Sequence, residues 1–188
     1  MTRQYGLDLT QDGIRVAFDA LPDGPLWPGC SAVRPGMPAP VICGAGRQRR
    51  MALMLWGLVP SWARALDRAS AHARAETLED SGFFRAAFKA RRCLVPATHV
   101  RIGTGRRMER CDGRPMALAG LWEAWGWEGD VLHGFSVVTR PATADLAPGA
   151  ARVPLVLSPE DWSCWLSGPS RAAAGLLHGM ESGVLRVV

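Results

Sequence analysis

The chain has 188 residues and no apolar run of the roughly 18–20 residues that a membrane-spanning helix requires. Its first residues, Met1 to Gly13, lack the basic-then-apolar order of a secretory leader, so a soluble, cytoplasmic protein is expected, with no membrane partner. The five cysteines, Cys30, Cys43, Cys93, Cys111 and Cys164, are odd in number and contain no CxxC pair. That excludes a disulfide framework and a paired-cysteine zinc site, and buried, inert thiols are expected instead. His99, His133 and His178 are too scattered for a metal-ligand spacing, so no metal is expected, and no cofactor signature is present. Internal repeats, low-complexity tracts and linkers are also missing, which points to one domain over residues 1–188.

Hydrophobic residues make up 48% of the chain and charged residues 21%, enough apolar content to build a core. Lys+Arg number 22 against 17 Asp+Glu, a formal charge of +5, and nearly all of the cations are arginine. A guanidinium donates bidentate hydrogen bonds to phosphate, so the balance is compatible with a nucleic-acid partner without selecting one.

The 21 glycines and 14 prolines punctuate many short elements, as in a sheet-rich domain. Helices are predicted over Gly13–Ala20, over Gly82–Ala90 and from Pro159 through Leu166. In the second of these, Phe84 and Phe88 share a face. Strands are predicted at Pro40–Cys43 and Arg50–Trp56, joined as a hairpin, and at Cys93–Pro96, Met116–Trp125, Gly134–Thr139 and Arg152–Leu157. The proline-rich stretch from Pro22 to Pro40 reads as an extended loop, and Arg101–Arg110 as a flexible basic loop able to extend a nucleic-acid face. The sum is an α+β domain, mainly antiparallel strands forming a distorted barrel with short peripheral helices.

Six local strings occur in order. They are Trp56-Gly-Leu-Val-Pro-Ser-Trp62, Ala73-Arg-Ala-Glu-Thr77, Phe84-Arg-Ala-Ala-Phe88, Arg91-Arg-Cys-Leu-Val-Pro-Ala97, Ala119-Gly-Leu-Trp-Glu-Ala-Trp125, and Ala147-Pro148 with Arg152-Val-Pro-Leu-Val-Leu157. In order and spacing they resemble the SOS-response-associated peptidase (SRAP) family, most strongly over residues 30–167. The resemblance implies a compact α+β domain with a basic channel for single-stranded DNA. It also implies removal of the initiator methionine to expose Cys at position 2, which captures the aldehyde of an abasic site as a thiazolidine. An asparagine, a glutamate and a histidine assist that chemistry, and the family is linked to the DNA-damage response.

This sequence departs from the pattern at each reactive position. Position 2 is Thr2, and the asparagine before Ala-Arg-Ala-Glu-Thr is His72. No glutamate follows Cys-Leu-Val-Pro-Ala, where the chain reads Thr98-His99-Val100-Arg101-Ile102, and the histidine position is Ala150. The N-terminal arginine falls on Gln4, with Arg3 beside it. A hydroxyl is a far poorer nucleophile than a thiolate, and the lost groups were the proton-transfer candidates. The expected function is therefore binding of single-stranded or abasic-site DNA without a durable crosslink. One alternative is an active enzyme in which the α-amine of Thr2, with a pKa of about 7.7–8.0, forms a Schiff base and His72 serves as base. The other is a pseudoenzyme that binds a protein partner.

The resemblance assigns Arg74 and Arg152 to DNA phosphate, with Glu76 beside them and Arg3 as a further contact. Phe84 matches an aromatic on the DNA path. Trp56 is open to two readings, core packing or support for a base, whereas Trp62, Trp122 and Trp125 are expected in the core.

Overall fold

In the computed structural model, residues 4–44, 48–103, 105–127, 129–143, 147, 150–179 and 184–188 are described, apart from the side chain of Trp127. Strand β1 (Tyr5–Leu7) leads into helix α1 (Gln11–Phe18), whose N-terminus is capped by the Thr10 hydroxyl accepting from Gly13 N. Strands β2 (Ala20–Asp23), β3 (Cys30–Val33), β4 (Pro38–Cys43) and β5 (Arg49–Trp56) follow. After a long excursion come β6 (His72–Arg74), α2 (Arg85–Ala90), β7 (Arg92–Ala97), β8 (His99–Ile102) and β9 (Arg106–Arg110). Two long strands, β10 (Met116–Trp127) and β11 (Asp130–Pro141), form the central hairpin. The chain ends with β12 (Arg152–Pro154), β13 (Val156–Leu157), α3 (Trp162–Ser167), α4 (Ser170–Leu176) and β14 (Leu185–Val187).

Strands β11, β10, β7, β4 and β5 pair in that order, and β5 then returns to β11, so these five close a barrel. Four of the five pairings are antiparallel and the closing one, Gly134↔Leu55 and Phe135↔Trp56, is parallel. Glycine is required at that seam. A Cβ on Gly134 would lie 2.4 Å from the Gly57 carbonyl oxygen, and Gly57 N donates to Phe135 O at 2.9 Å. A second sheet, in the order β14-β9-β8-β1-β3, packs its apolar face (Tyr5, Leu7, Val100, Met108) into the same core. The predicted α+β barrel with short peripheral helices is what is found.

The helices lie at the periphery, and one buried arginine ties two of them to the barrel. Arg92 donates to Phe88 O at 2.6 Å and Lys89 O at 3.3 Å at the end of α2, and to the carbonyls of Trp165 and Gly168 at the end of α3. It satisfies carbonyls that helix ends leave without partners, although burial pulls its own pKa down.

Several elements differ from the sequence expectation. The Pro22–Pro40 stretch is not one loop, for it holds the end of β2, all of β3 and the start of β4. Prolines are accommodated there at strand ends and on edges. Arg101–Arg110 is not a flexible loop either: β8 and β9 form a hairpin with Arg101 opposite Arg107. Of the cysteines only Cys93 is buried, and Cys111 is exposed.

Candidate nucleic-acid interface

The site is built where β11 runs past the barrel. Val137 pairs with both Gly120 of β10 and His72 of β6, and Thr139 pairs with both Arg74 of β6 and Pro154 of β12. Two short strands, β6 and β12, thus flank the far end of β11 on opposite edges. Ala73 and Ala75 are buried, and this alternation turns His72, Arg74 and Glu76 to the other side.

Those side chains have different fates. Arg74 is exposed, and its guanidinium makes no hydrogen bond or salt bridge with a described residue, although its charge helps to keep the Glu76 carboxyl ionised. Arg152 lies across β11, with its side chain only 13% exposed, and uses four of its five N–H donors. Its two terminal nitrogens donate to the Glu76 carboxylate at 2.8 and 2.6 Å. Its Nε and one terminal nitrogen also donate to Thr139 Oγ1 and Thr139 O, at 3.1 and 2.7 Å. The expectation that Arg152 offers itself to phosphate is therefore not met in this geometry, because its donors brace the 3-10 turn Ala75–Thr77 against β11. The bond from Arg152 holds the Glu76 carboxyl at about 2, against an ordinary value near 4.5. A carboxylate of that strength is ionised at neutral pH and is a weak proton acceptor.

His72 is half-buried and stands edge-on to Trp56, with ring centroids 5.6 Å apart. Trp56 itself is 1% exposed, donates its indole N–H to Ala71 O at 2.8 Å, and packs on Tyr5 and Phe135. It is a core residue, and no face of its ring is open to a base. The tryptophan that is open is Trp62, at 59% exposure, where burial was expected. Its neighbours explain the reversal. Val59, Ala63 and Trp125 form a small separate core, with the Trp125 indole donating to Ala63 O at 2.7 Å, and this pins the chain on both sides of Trp62. A patterned sequence gives no warning of so local a cluster.

The Trp62 loop adjoins β6. It is closed by the Leu58↔Ser70 bridge, and the Ser70 hydroxyl donates to His72 O at 3.0 Å. Trp62 stands edge-on to Phe83 at 6.1 Å, and Phe83 contacts Phe84 at 4.6 Å, so Phe84, which is half-buried, ends an aromatic row. A cleft of about 390 Å³ is lined by Trp62, Ala63, Arg64, Ala65, Asp67 and Arg68. Arg64 and Arg68 are exposed and have no partner among the described residues.

Thr2 and Arg3 lie outside the described residues. The chain is followed from Gln4, whose carbonyl accepts from Arg101 N at 3.0 Å. Tyr5 meets Trp56 at 5.0 Å, and Trp56 meets His72, so the start of β1 and the start of β6 share one packing partner. In the segment where the resemblance calls for a glutamate, His99, Val100 and Ile102 are buried and only Arg101 faces solvent. The segment itself supplies no carboxylate, though Asp8 stands beside it and accepts from the Thr98 hydroxyl at 2.8 Å. The asparagine is missing too, since the chain contains none.

The family model described as SOS response associated peptidase (SRAP) matches residues 1–187. The abasic site processing protein YoqW of Bacillus subtilis (strain 168) is 28% identical over 158 residues, covering 78% of this chain and 70% of the relative. The abasic site processing protein YoaM of the same organism is 26% identical over 183 residues, covering 89% of this chain and 79% of the relative. Among solved structures, a protein from Bordetella bronchiseptica superposes with a TM-score of 0.83 at 23% identity, covering 100% of this chain and 98% of that one, which is a likeness of fold. On the match of the whole chain to the family model, this protein belongs to the SOS response associated peptidase family.

Proposed function

We propose that this chain binds single-stranded DNA, abasic sites included, and forms no durable crosslink with it. The observation that carries the reading is the exposed, unpaired Arg74 on β6 beside a loop that presents Trp62, Arg64 and Arg68 to solvent. Unpaired guanidiniums fit phosphates, and an exposed indole stacks on any base for about 1–3 kcal/mol. The relatives' names supply the abasic site as the lesion.

Crosslinking chemistry has lost its supports. A thiazolidine needs a sulfur, and Thr2 has none. The carboxylate on the β6 face, Glu76, is committed to Arg152 and is a poor base. Ala150 replaces the histidine. What remains suits reversible holding.

The test is fluorescence anisotropy with a labelled 20-nucleotide single strand, with and without one abasic site, over a range of salt. The expected result is binding that weakens steeply with salt and no adduct surviving denaturing electrophoresis. Absence of binding by folded protein at low salt overturns the reading. A covalent adduct trapped by borohydride, and lost on N-terminal acetylation, replaces it with Schiff-base chemistry at the Thr2 amine.

A further inference from the structure

The β8–β9 hairpin and β14 present a second basic surface that the site above does not use. Along β8, Val100 and Ile102 face the core, which puts Arg101 on the opposite, exposed side, with the His99 ring on that side covered against Gly6. Along β9, Met108 faces the core, which turns Arg107 and Glu109 outward. Register places Arg101 directly opposite Arg107, and Arg186 of β14 opposite Glu109. Like charges directly across a pair of strands destabilise a sheet, so this arrangement has an energetic cost that the fold alone does not explain.

The acid on this face does not neutralise it. Glu109 accepts from Arg186 at 2.8 and 3.1 Å and reaches Arg107 only at 3.4 Å. The Arg101 guanidinium has no hydrogen bond or ion pair with a described residue, and both Arg101 and Arg107 are exposed. Asp8 lies beyond His99, accepting from the Thr98 hydroxyl at 2.8 Å and standing 3.4 Å from the imidazole. The His99 imidazole registers the resulting field. Burial and then Arg107 push its pKa down, Asp8 opposes them, and Arg101 adds to the lowering.

The hairpin is tied to the start of β1, where Arg101 N donates to Gln4 O at 3.0 Å. Building on the DNA-binding reading, we infer that Arg101 and Arg107, with Arg186 behind them, form a landing strip for the phosphodiester backbone of a strand that extends beyond the Arg74–Trp62 site. An intervening phosphate turns the repulsion between Arg101 and Arg107 into two favourable contacts. The hairpin reads no base, so it adds length-dependent affinity without sequence preference.

The double variant Arg101→Gln/Arg107→Gln tests this against wild type on oligonucleotides of 20 and about 4 nucleotides. On the longer strand, the slope of log affinity against log salt should fall by roughly 1.4, about 0.7 for each lost phosphate contact. On the shorter strand, affinity should be unchanged. Thermal stability should be equal or higher, since the opposed like charges are gone, which separates lost contacts from lost fold. If wild type binds and the double variant shows the same slope on the long strand, the landing strip is refuted and the DNA-binding reading stands. If wild type binds neither strand at the lowest salt, the DNA-binding reading falls and takes this one with it.

Discussion

Replacing Glu76 by glutamine should lower stability and raise affinity for DNA, an unusual combination that follows from the Arg152–Glu76 brace. Glutamine keeps one acceptor for Arg152 but removes the charge and the second strong acceptor of a pair held at 2.8 and 2.6 Å. A hydrogen bond to a charged group contributes about 1.5–3 kcal/mol when desolvated. Glu76 is 42% exposed, so screening reduces the expected loss to about 1 kcal/mol. The effect on DNA has the opposite sign. Taking an illustrative separation of about 8 Å, a phosphate seated on Arg74 is repelled by the Glu76 carboxylate by roughly 0.5 kcal/mol in water and about 2 kcal/mol at an effective dielectric of 20. Removing that repulsion should tighten binding about fivefold at low salt, with the gain shrinking as the screening length shortens.

Urea unfolding and anisotropy on the same preparation read both quantities. The pH dependence adds a third. Because Arg152 holds the Glu76 carboxyl at about 2, its contribution is complete above its unfolded value of about 4.3. That contribution is lost as pH falls toward 2, and the glutamine variant should show a flatter stability profile across that window. An affinity that is unchanged, or that falls with stability, would refute the placement of the phosphate beside Glu76.

Three further outcomes follow from the packing. Trp56→Ala should cost about 3–5 kcal/mol in urea unfolding, as expected for a fully buried indole, whereas Trp62→Ala should leave stability nearly unchanged and weaken single-strand binding by about 1–3 kcal/mol. Gly6→Ala sets a Cβ 2.0 Å from the His99 ring and should destabilise by about 1–3 kcal/mol, with partial rescue by His99→Ser; Gly134→Ala meets the Gly57 backbone at 2.4 Å and should have no such rescue. Burial and Arg107 hold the folded His99 pKa below its unfolded value near 6.5. Stability should thus be complete above that pH and decline as pH falls below it, and His99→Gln should flatten the decline.

The strands of the barrel were legible in the sequence because each is a run of four or more apolar or alternating residues, as in Cys93–Pro96 and Gly134–Thr139. Besides α4, the elements that escaped notice are strands of three to five residues: β1, β2, β3, β6, β8, β9 and β14. Their formation depends on partners distant in the chain, such as Gly6 with His99 and Met108 with Val187, which no local pattern reveals. The same limit governs the site. Arg74 could be named from its motif, but whether a neighbouring guanidinium is free or spent is a property of three strands at once. Arg152 and Glu76 are 76 residues apart and meet only because β6 and β12 flank β11. Trp56 and Trp62 exchanged roles for a comparable reason, one indole finding Ala71 O and the other being left outside a three-residue core.

The Arg152–Glu76 brace also bears on the proposed reversible grip. A general base must be free to accept a proton, and a phosphate hook must be free to donate. Arg152 and Glu76 have given up both freedoms to each other, and what they gain is a fixed geometry for the turn after β6. That turn follows directly on Arg74, two residues before Glu76, so under the proposed function the pair would serve by positioning a cation rather than by contact. Reversible holding of a strand asks for little more than this: a rigid strand end, an unpaired guanidinium and an exposed indole. Each of the three is held by contacts within the fold: β6 by its pairing with β11, and the loop that carries Trp62 by the small core of Val59, Ala63 and Trp125.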